Sequence, residues 1–177
     1  MNLIETVISL LSLLTLAGQL AALFFIVLLL LKKQNRVTAY ITRHAIPLGF
    51  FFSLVATLGS LFLSQIAHYE PCTLCWWQRI FMYPLVILFG VAYIKKQKDI
   101  YAHVLPLALI GGIIAVYHYI IQMIALVQPG FSTSCSATGV SCISTYFLKL
   151  GYITIPLMSL TSFTLIILVS IALWRDK

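Results

Sequence analysis

The chain is predicted to be an all-α membrane protein of five transmembrane spans. Three observations predict it. Of 177 residues, 62% are hydrophobic and 8% charged, and mean hydropathy is +1.05, too little polar character to cover a soluble globule. The apolar residues fall into five runs, each close to the ~20 residues a helix needs to cross a bilayer. The connections between them are short and leave no room for a separate soluble domain. The formal charge of +7 does not imply nucleic acid, because the cations lie between apolar spans and not on one face of a soluble module.

The first run covers residues 7–31. It lacks the short apolar segment and small-residue cleavage site of a signal peptide, so it is read as a retained helix. A basic connection follows over 32–45, and the second run covers 46–67. The third, 76–94, is closed by a polar turn at 95–99; the fourth covers 104–127 and the fifth 153–174. Pro84, Pro106 and Pro156 lie inside or near the start of these spans. Helical membrane proteins tolerate proline because neighbouring helices re-satisfy the freed carbonyls, so kinks at most are predicted. The spans divide into residues 1–45, the first helix with its basic connection, and 46–177, the four that follow.

Orientation follows from the cations, since Lys and Arg are retained on the cytoplasmic side. The 32–45 connection holds four, the 95–99 turn three and the C-terminus two, nine of the eleven; Arg79 and Lys149 are the others. Five spans with the N-terminus outside and the C-terminus inside satisfy the rule. The 68–75 turn and the 128–152 loop then lie outside the cytoplasm, and they contain all four cysteines. On that side disulfides form and persist.

Cys72 and Cys75 form a Cys-x-x-Cys behind Pro71, a residue suited to a helix start. In a helix beginning here, positions 72, 75 and 79 share one face, with Arg79 about one turn, ~6 Å, deeper than Cys75. The positive end of the helix and the guanidinium both favour a thiolate. Arg79 either snorkels to the outer headgroups or faces the bundle and pairs with the thiolate or a ligand carbonyl. Trp76 and Trp77 suit an interfacial aromatic belt or contact with a ligand ring.

Cys135 and Cys142 lie in a loop that opens at Gln128-Pro129-Gly130 and is rich in Ser, Thr and Gly, hence able to move. Ile143, Tyr146, Phe147 and Leu150 recur at helical spacing and predict a short interfacial helix holding the loop near the 68–75 turn. Four cysteines allow three connectivities, and one or two static disulfides bracing the external loops, or a four-cysteine zinc site, are the bland alternatives. His118 lies ~15 Å inside the outer end of the fourth span. It is either hydrogen-bonded across helices or a donor to a quinone-like carbonyl, with Gln122 one turn outward.

In these residues the chain resembles the bacterial disulfide bond formation protein B family, in particular its short-loop branch in Gram-positive bacteria. The resemblance rests on Pro-Cys-Thr-Leu-Cys-Trp-Trp-Gln-Arg opening a span, Tyr117-His118 in the next, the close second cysteine pair, and Gly151-Tyr-Ile-Thr-Ile-Pro156 entering the last helix. It covers residues 46–174. It implies a multi-pass protein of the bacterial cytoplasmic membrane that reoxidises a DsbA-like thioredoxin-fold thiol oxidase and passes two electrons to a membrane quinone, ubiquinone or menaquinone. By motif position, Cys135 receives the partner's thiolate, Cys142 relays to Cys72, and Cys75 faces the quinone. Arg79 and His118 lie near the quinone carbonyls, with Trp76 and Gln78 as further candidate contacts. The first helix is extra to the family's four-helix core, and Gln78 can hydrogen-bond but cannot carry a proton as an acid would.

Dithiol oxidation releases two electrons and two protons, which a quinone takes up, so neither flavin nor metal is required. Cys75 is followed by Trp and not His, which leaves no haem-attachment signature. Three rivals are weighed. A vitamin K epoxide reductase-like enzyme places its quinone-side Cys-x-x-Cys after the loop pair, and here it comes first. A membrane scaffold braced by structural disulfides would resist mild reduction. An exporter of reductant needs a cysteine reachable from the cytoplasm or mid-membrane, and no cysteine lies mid-span.

Overall fold

The computed structural model describes residues 2–30, 36–128, 130–132, 135 and 140–175. Its helices are α1 Leu3–Leu30, α2 Arg36–Arg43, α3 Ala45–Gln65, α4 Thr73–Lys95, α5 Tyr101–Val127 and α6 Ile155–Arg175, with a single 3-10 turn at Lys98–Ile100. All but α2 are long and apolar enough to cross a membrane, and they match the five predicted runs to within a few residues. Residues 31–35, with the basic Lys32 and Lys33, Pro129, 133–134, most of the spacer between Cys135 and Cys142, and the terminal 1 and 176–177 lie outside the described residues.

Helices α3 to α6 form the bundle: α3 packs on α4, α4 on α5, α5 on α6 and α6 back on α3. Lipid tails are as apolar as leucine, so such helices associate by close packing, and small residues let them approach. The core uses this twice. Gly49 of α3 faces the ring of Phe89, and Gly111 of α5 faces the ring of Phe163, so closely that a Cβ on either glycine would overlap the ring. Both rings are fully buried, among Leu85, Val104 and Ile166. The opposite helix faces carry bare aliphatic side chains such as Ile87, Ile94 and Ile113, which suits a lipid surround.

Helix α1 stands outside this ring and packs along α6. Near their C-terminal ends Arg175 donates to the Leu29 carbonyl of α1 at 3.5 Å. Pro84 and Pro106 sit inside α4 and α5 without breaking them, and Pro156 sits in the first turn of α6. Within the connection to the second span, Arg36–Arg43 is helical, which the sequence does not suggest.

The end of α3 sets the height of the cysteine turn. His68 adopts a left-handed backbone (φ 54°), and the Tyr69 N–H reaches back to the Leu63 carbonyl at 2.9 Å, which stops the helix and reverses the chain. The predicted helix over 143–150 is absent. There Lys149 pairs with Ile153 through a short bridge around Leu150 and Gly151, both at positive φ, so the segment runs as a folded-back loop.

Gly49→Val and Gly111→Val should each lower bundle stability by about 1–3 kcal/mol through overpacking. The check is thermal unfolding of the detergent-solubilised protein, with Gly90→Val as control, since a Cβ there meets Phe50 at an ordinary 3.5 Å.

Candidate functional site

The site is assembled where α3 ends, α4 begins and the loop after α5 returns. Cys72 is the N-cap residue of α4, extended at φ −70° and ψ 172°, and its side chain caps nothing. The helix thus starts two residues after Pro71, and Cys75 falls in its first turn. The two Sγ atoms are 3.4 Å apart as free thiols, close enough to share a proton. Cys135 and Cys142 are joined as a disulfide, which removes them as ligands for the four-cysteine zinc site.

His118 of α5 is the node between the pairs. It is almost fully buried, with Nδ1 2.9 Å from the Gln78 amide nitrogen and Nε2 3.0 Å from the Cys142 carbonyl. A neutral ring protonated on Nε2 satisfies both: the Gln78 N–H donates to Nδ1, and Nε2–H donates to the carbonyl. The same Nε2 lies 3.7 Å from Cys72 Sγ. One imidazole therefore touches a thiol of the first pair and the backbone of the second. One turn further along α5, Gln122 donates to the Ser144 carbonyl at 3.0 Å. These two α5 side chains hold the returning loop by its backbone. Cys72 and Cys142 are buried together with Ile121, and Cys75, Cys135, Phe131 and Ile143 pack around them.

A second clasp lies further out. The Tyr146 hydroxyl donates to the Glu70 carbonyl at 2.9 Å, and its ring stacks on Tyr69 with centroids 4.5 Å apart and planes 10° apart. The residues expected to form an interfacial helix thus do dock the loop on the cysteine turn, but through one aromatic stack and not a helical face.

Arg79 points to the other side of Cys75. It donates through Nε to the Ser60 hydroxyl at 3.0 Å and through Nη2 to the Ser60 carbonyl at 3.1 Å, and its guanidinium lies 5.2 Å from the Trp76 ring. Ser60, on α3, carries no sequence signal that would single it out from the other hydroxyls of that helix. Two of the five N–H donors of the guanidinium are engaged there. Trp76 itself is 55% exposed, and Trp77 is exposed beside it.

Cys75, Gln78 and Arg79 border one cavity of about 370 Å³ bounded by α1, α3, α4 and α6. Its size suits an organic ligand, and its walls are largely apolar beyond the Arg79 end. His118 does not border it. That residue lines a much smaller pocket, of about 20 Å³, with Cys72 and Gln122. Cys75 faces both spaces: it shares the larger with Arg79 and Gln78 and the smaller with Cys72 and His118, and Gln78 bridges the two through its bond to His118. The ligand atoms of Cys72, Cys75 and His118 lie within 4.8 Å of one another, near enough for one soft cation to bridge, although Nε2 is already committed to the Cys142 carbonyl.

This setting decides the acidity of Cys72, which caps α4 just outside the span. The Cys75 thiol, donating its S–H, does most to hold Cys72 far below the ordinary thiol range, at about 4; burial opposes the shift and His118 adds to it. A thiolate is the attacking and leaving species of disulfide exchange, so Cys72 is suited to react with a neighbouring sulfur at neutral pH.

A family model described as "Disulfide bond formation protein DsbB" matches residues 42–173. A "Probable disulfide formation protein C 1" of Bacillus anthracis is 44% identical over 126 residues, which is 71% of this chain and 88% of the relative. A "Disulfide bond formation protein C" of Bacillus subtilis is 42% identical over the same shares of each chain. The "SPbeta prophage-derived disulfide bond formation protein B" of Bacillus subtilis is 44% identical over 117 residues, 66% of this chain and 76% of that one. No solved structure matches the chain significantly.

With the loop disulfide intact and Cys72 and Cys75 reduced, the ultraviolet thiolate signal should persist from neutral pH down to about 4 and disappear as pH falls through that value. Cys75→Ala removes the donor and should move the transition up toward the ordinary ~8.5 of a thiol. A wild-type transition above neutral pH would rule out the shared-proton pair.

Proposed function

Because the chain belongs to the disulfide bond formation protein DsbB family, and is thus a multi-pass bacterial membrane disulfide oxidoreductase, we propose that it reoxidises a DsbA-like thioredoxin-fold dithiol oxidase outside the cytoplasm and passes the electrons to a membrane quinone. The observation that carries this reading is the two-sided setting of one cysteine pair. Cys72 meets the loop disulfide through His118 and the buried Cys142, while Cys75 opens onto an apolar cavity headed by Arg79.

Each step balances as follows. The partner's thiolate attacks Cys135 Sγ, breaks the Cys135–Cys142 bond and releases Cys142 as a thiolate; the partner's second thiol then resolves the mixed disulfide and leaves the loop as a dithiol. Cys142 attacks an oxidised Cys72–Cys75 pair at Cys72, and Cys135 resolves that mixed disulfide. The loop disulfide is restored and two thiols remain at 72 and 75. That is the arrangement described above, with thiols at 72 and 75 and a disulfide at 135 and 142.

The last step regenerates the Cys72–Cys75 bond. A bound quinone supplies the sink for the two electrons; with Cys72 already a thiolate the pair gives up one proton, from Cys75, and the second proton taken up comes from solvent, replacing the one Cys72 lost on ionising. The donor set fits such a group: the free N–H donors of Arg79 suit a carbonyl oxygen, and the apolar walls suit a ring and tail. Within the chain, Cys72 holds the thiolate, Cys75 holds the proton nearest the cavity, and His118 with Gln78 fixes the geometry between them. Trp76 lies at the membrane end of α4, where it stacks under Arg79 and restrains the guanidinium.

Reconstituted protein mixed with quinone and a reduced thioredoxin-fold dithiol should bleach the quinone. Cys→Ser at 72, 75, 135 or 142 should each reduce turnover to background. A partner lacking its second cysteine should be trapped on Cys135. Normal quinone reduction by Cys75→Ser would end the assignment.

The proposed orientation has its own check. A membrane-impermeant thiol reagent should label Cys135 in intact, reduced cells, and labelling only after lysis would reverse the topology.

A further inference from the structure

The cavity beside Cys75 has a wall that lies outside the family match. The match starts at residue 42, yet Leu11, Leu14, Thr15, Ala17, Gly18 and Ala21 of α1 all border the cavity. From Leu11 to Ala21 the helix rises ~15 Å, so α1 follows the cavity along its length.

The placement of α1 is specific. The Tyr152 hydroxyl donates to Gln19 Oε1 at 3.0 Å, and the Gln19 amide reaches the Thr161 hydroxyl at 3.4 Å. Gly18 lies so near α6 that a Cβ there would stand 3.1 Å from Leu165 Cδ1 and 3.2 Å from Thr161 Cγ2. On the other flank Leu11 meets α3, where a Cβ on Gly59 would stand 3.3 Å from Leu11 Cδ2. A helix that merely anchored the chain in lipid would need none of these. Between the two supports, α1 presents Ala17 and Ala21, small and unpacked, to the cavity. The groups at the reacting end, Cys75, Gln78 and Arg79, come from α4, and α6 adds the hydroxyls of Ser159, Thr161 and Ser162, whereas α1 contributes only Thr15, whose hydroxyl is already bonded to the Leu11 carbonyl at 2.8 Å.

We propose that α1 is the specificity wall of the acceptor site: the reacting ring sits at the Cys75–Arg79 end, and Ala17 and Ala21 leave the space that admits the acceptor's apolar tail. This rests on the reading of the cavity as the quinone site. The α1 wall therefore acts on the tail and not on the chemistry at sulfur.

Equilibrium binding to the full chain in detergent, by calorimetry, separates the possibilities, using a quinone with a long isoprenoid tail and the same ring without a tail. Ala17→Phe and Ala21→Phe should weaken binding of the tailed quinone about tenfold or more, leave the tailless ring within about twofold, and raise KM for the tailed acceptor with kcat unchanged. Leu13→Phe and Leu20→Phe, exposed on α1 away from the cavity, should behave as wild type, and exchange between the loop disulfide and a reduced partner should be unaffected in all four. If wild type binds the tailed quinone and the Phe variants bind it equally well, or lose both ligands alike, the α1 proposal is wrong and the function stands. If wild type binds neither ligand, the quinone reading fails and α1 with it.

Discussion

The interaction on which the rest of the site depends is the hydrogen bond from His118 to the Cys142 carbonyl, made inside a pocket that excludes solvent. In a membrane helix a polar side chain must find its partners within the protein. His118 finds Gln78 on α4 and the returning loop, and in doing so ties three elements together. Breaking it would leave a buried carbonyl and a ring nitrogen unpaired at once, a cost of about 1–3 kcal/mol for each group. The loop's position over α4 is thus a consequence of satisfying one imidazole. The Tyr146 clasp further out secures what that bond aligns.

The architecture follows a division of labour that the bilayer imposes. Within the spans the side chains are apolar and the helices approach through glycine and a facing phenylalanine, as at Gly49 with Phe89 and Gly111 with Phe163. Irregular backbone is confined to the ends. Both cysteine pairs lie at one such end, where chain reversal at His68 and at Leu150-Gly151 is compatible with hydrogen bonding to solvent and neighbours. Only side chains reach inward from there, Arg79 toward the cavity and Gln78 toward His118, and they carry the chemistry's polar demands into the apolar region.

Much of this is legible in the sequence. The five spans are set by hydropathy, which acts through the whole length of each helix and is hard to misread. The cysteine turn and its helix are carried by the Pro-Cys-x-x-Cys motif. What escaped is the detail set by contacts between distant segments. Residues 143–150 have helical periodicity, but the Tyr146 stack on Tyr69 and the Lys149–Ile153 bridge override it. Arg79 invites pairing with a thiolate or a snorkelling pose, and its partner is Ser60, a residue no different in sequence context from the hydroxyls around it. His118 and Arg79, placed together by the resemblance, border two different spaces, both of which Cys75 reaches. Spacing along helices cannot reveal which way each bundle face turns.

The unequal burial of the loop disulfide has a consequence for kinetics. Cys142 is 1% exposed and its carbonyl is held by His118, while Cys135 is partly open. In the proposed relay an incoming sulfur has one reachable target, Cys135, and the sulfur it would expel, Cys142, is buried in one cluster with Cys72. The released thiolate starts its next reaction at an effective concentration set by contact and not by diffusion, where well-oriented intramolecular reactions gain most. With the Cys72–Cys75 pair oxidised, that packing would favour forward transfer in the proposed relay.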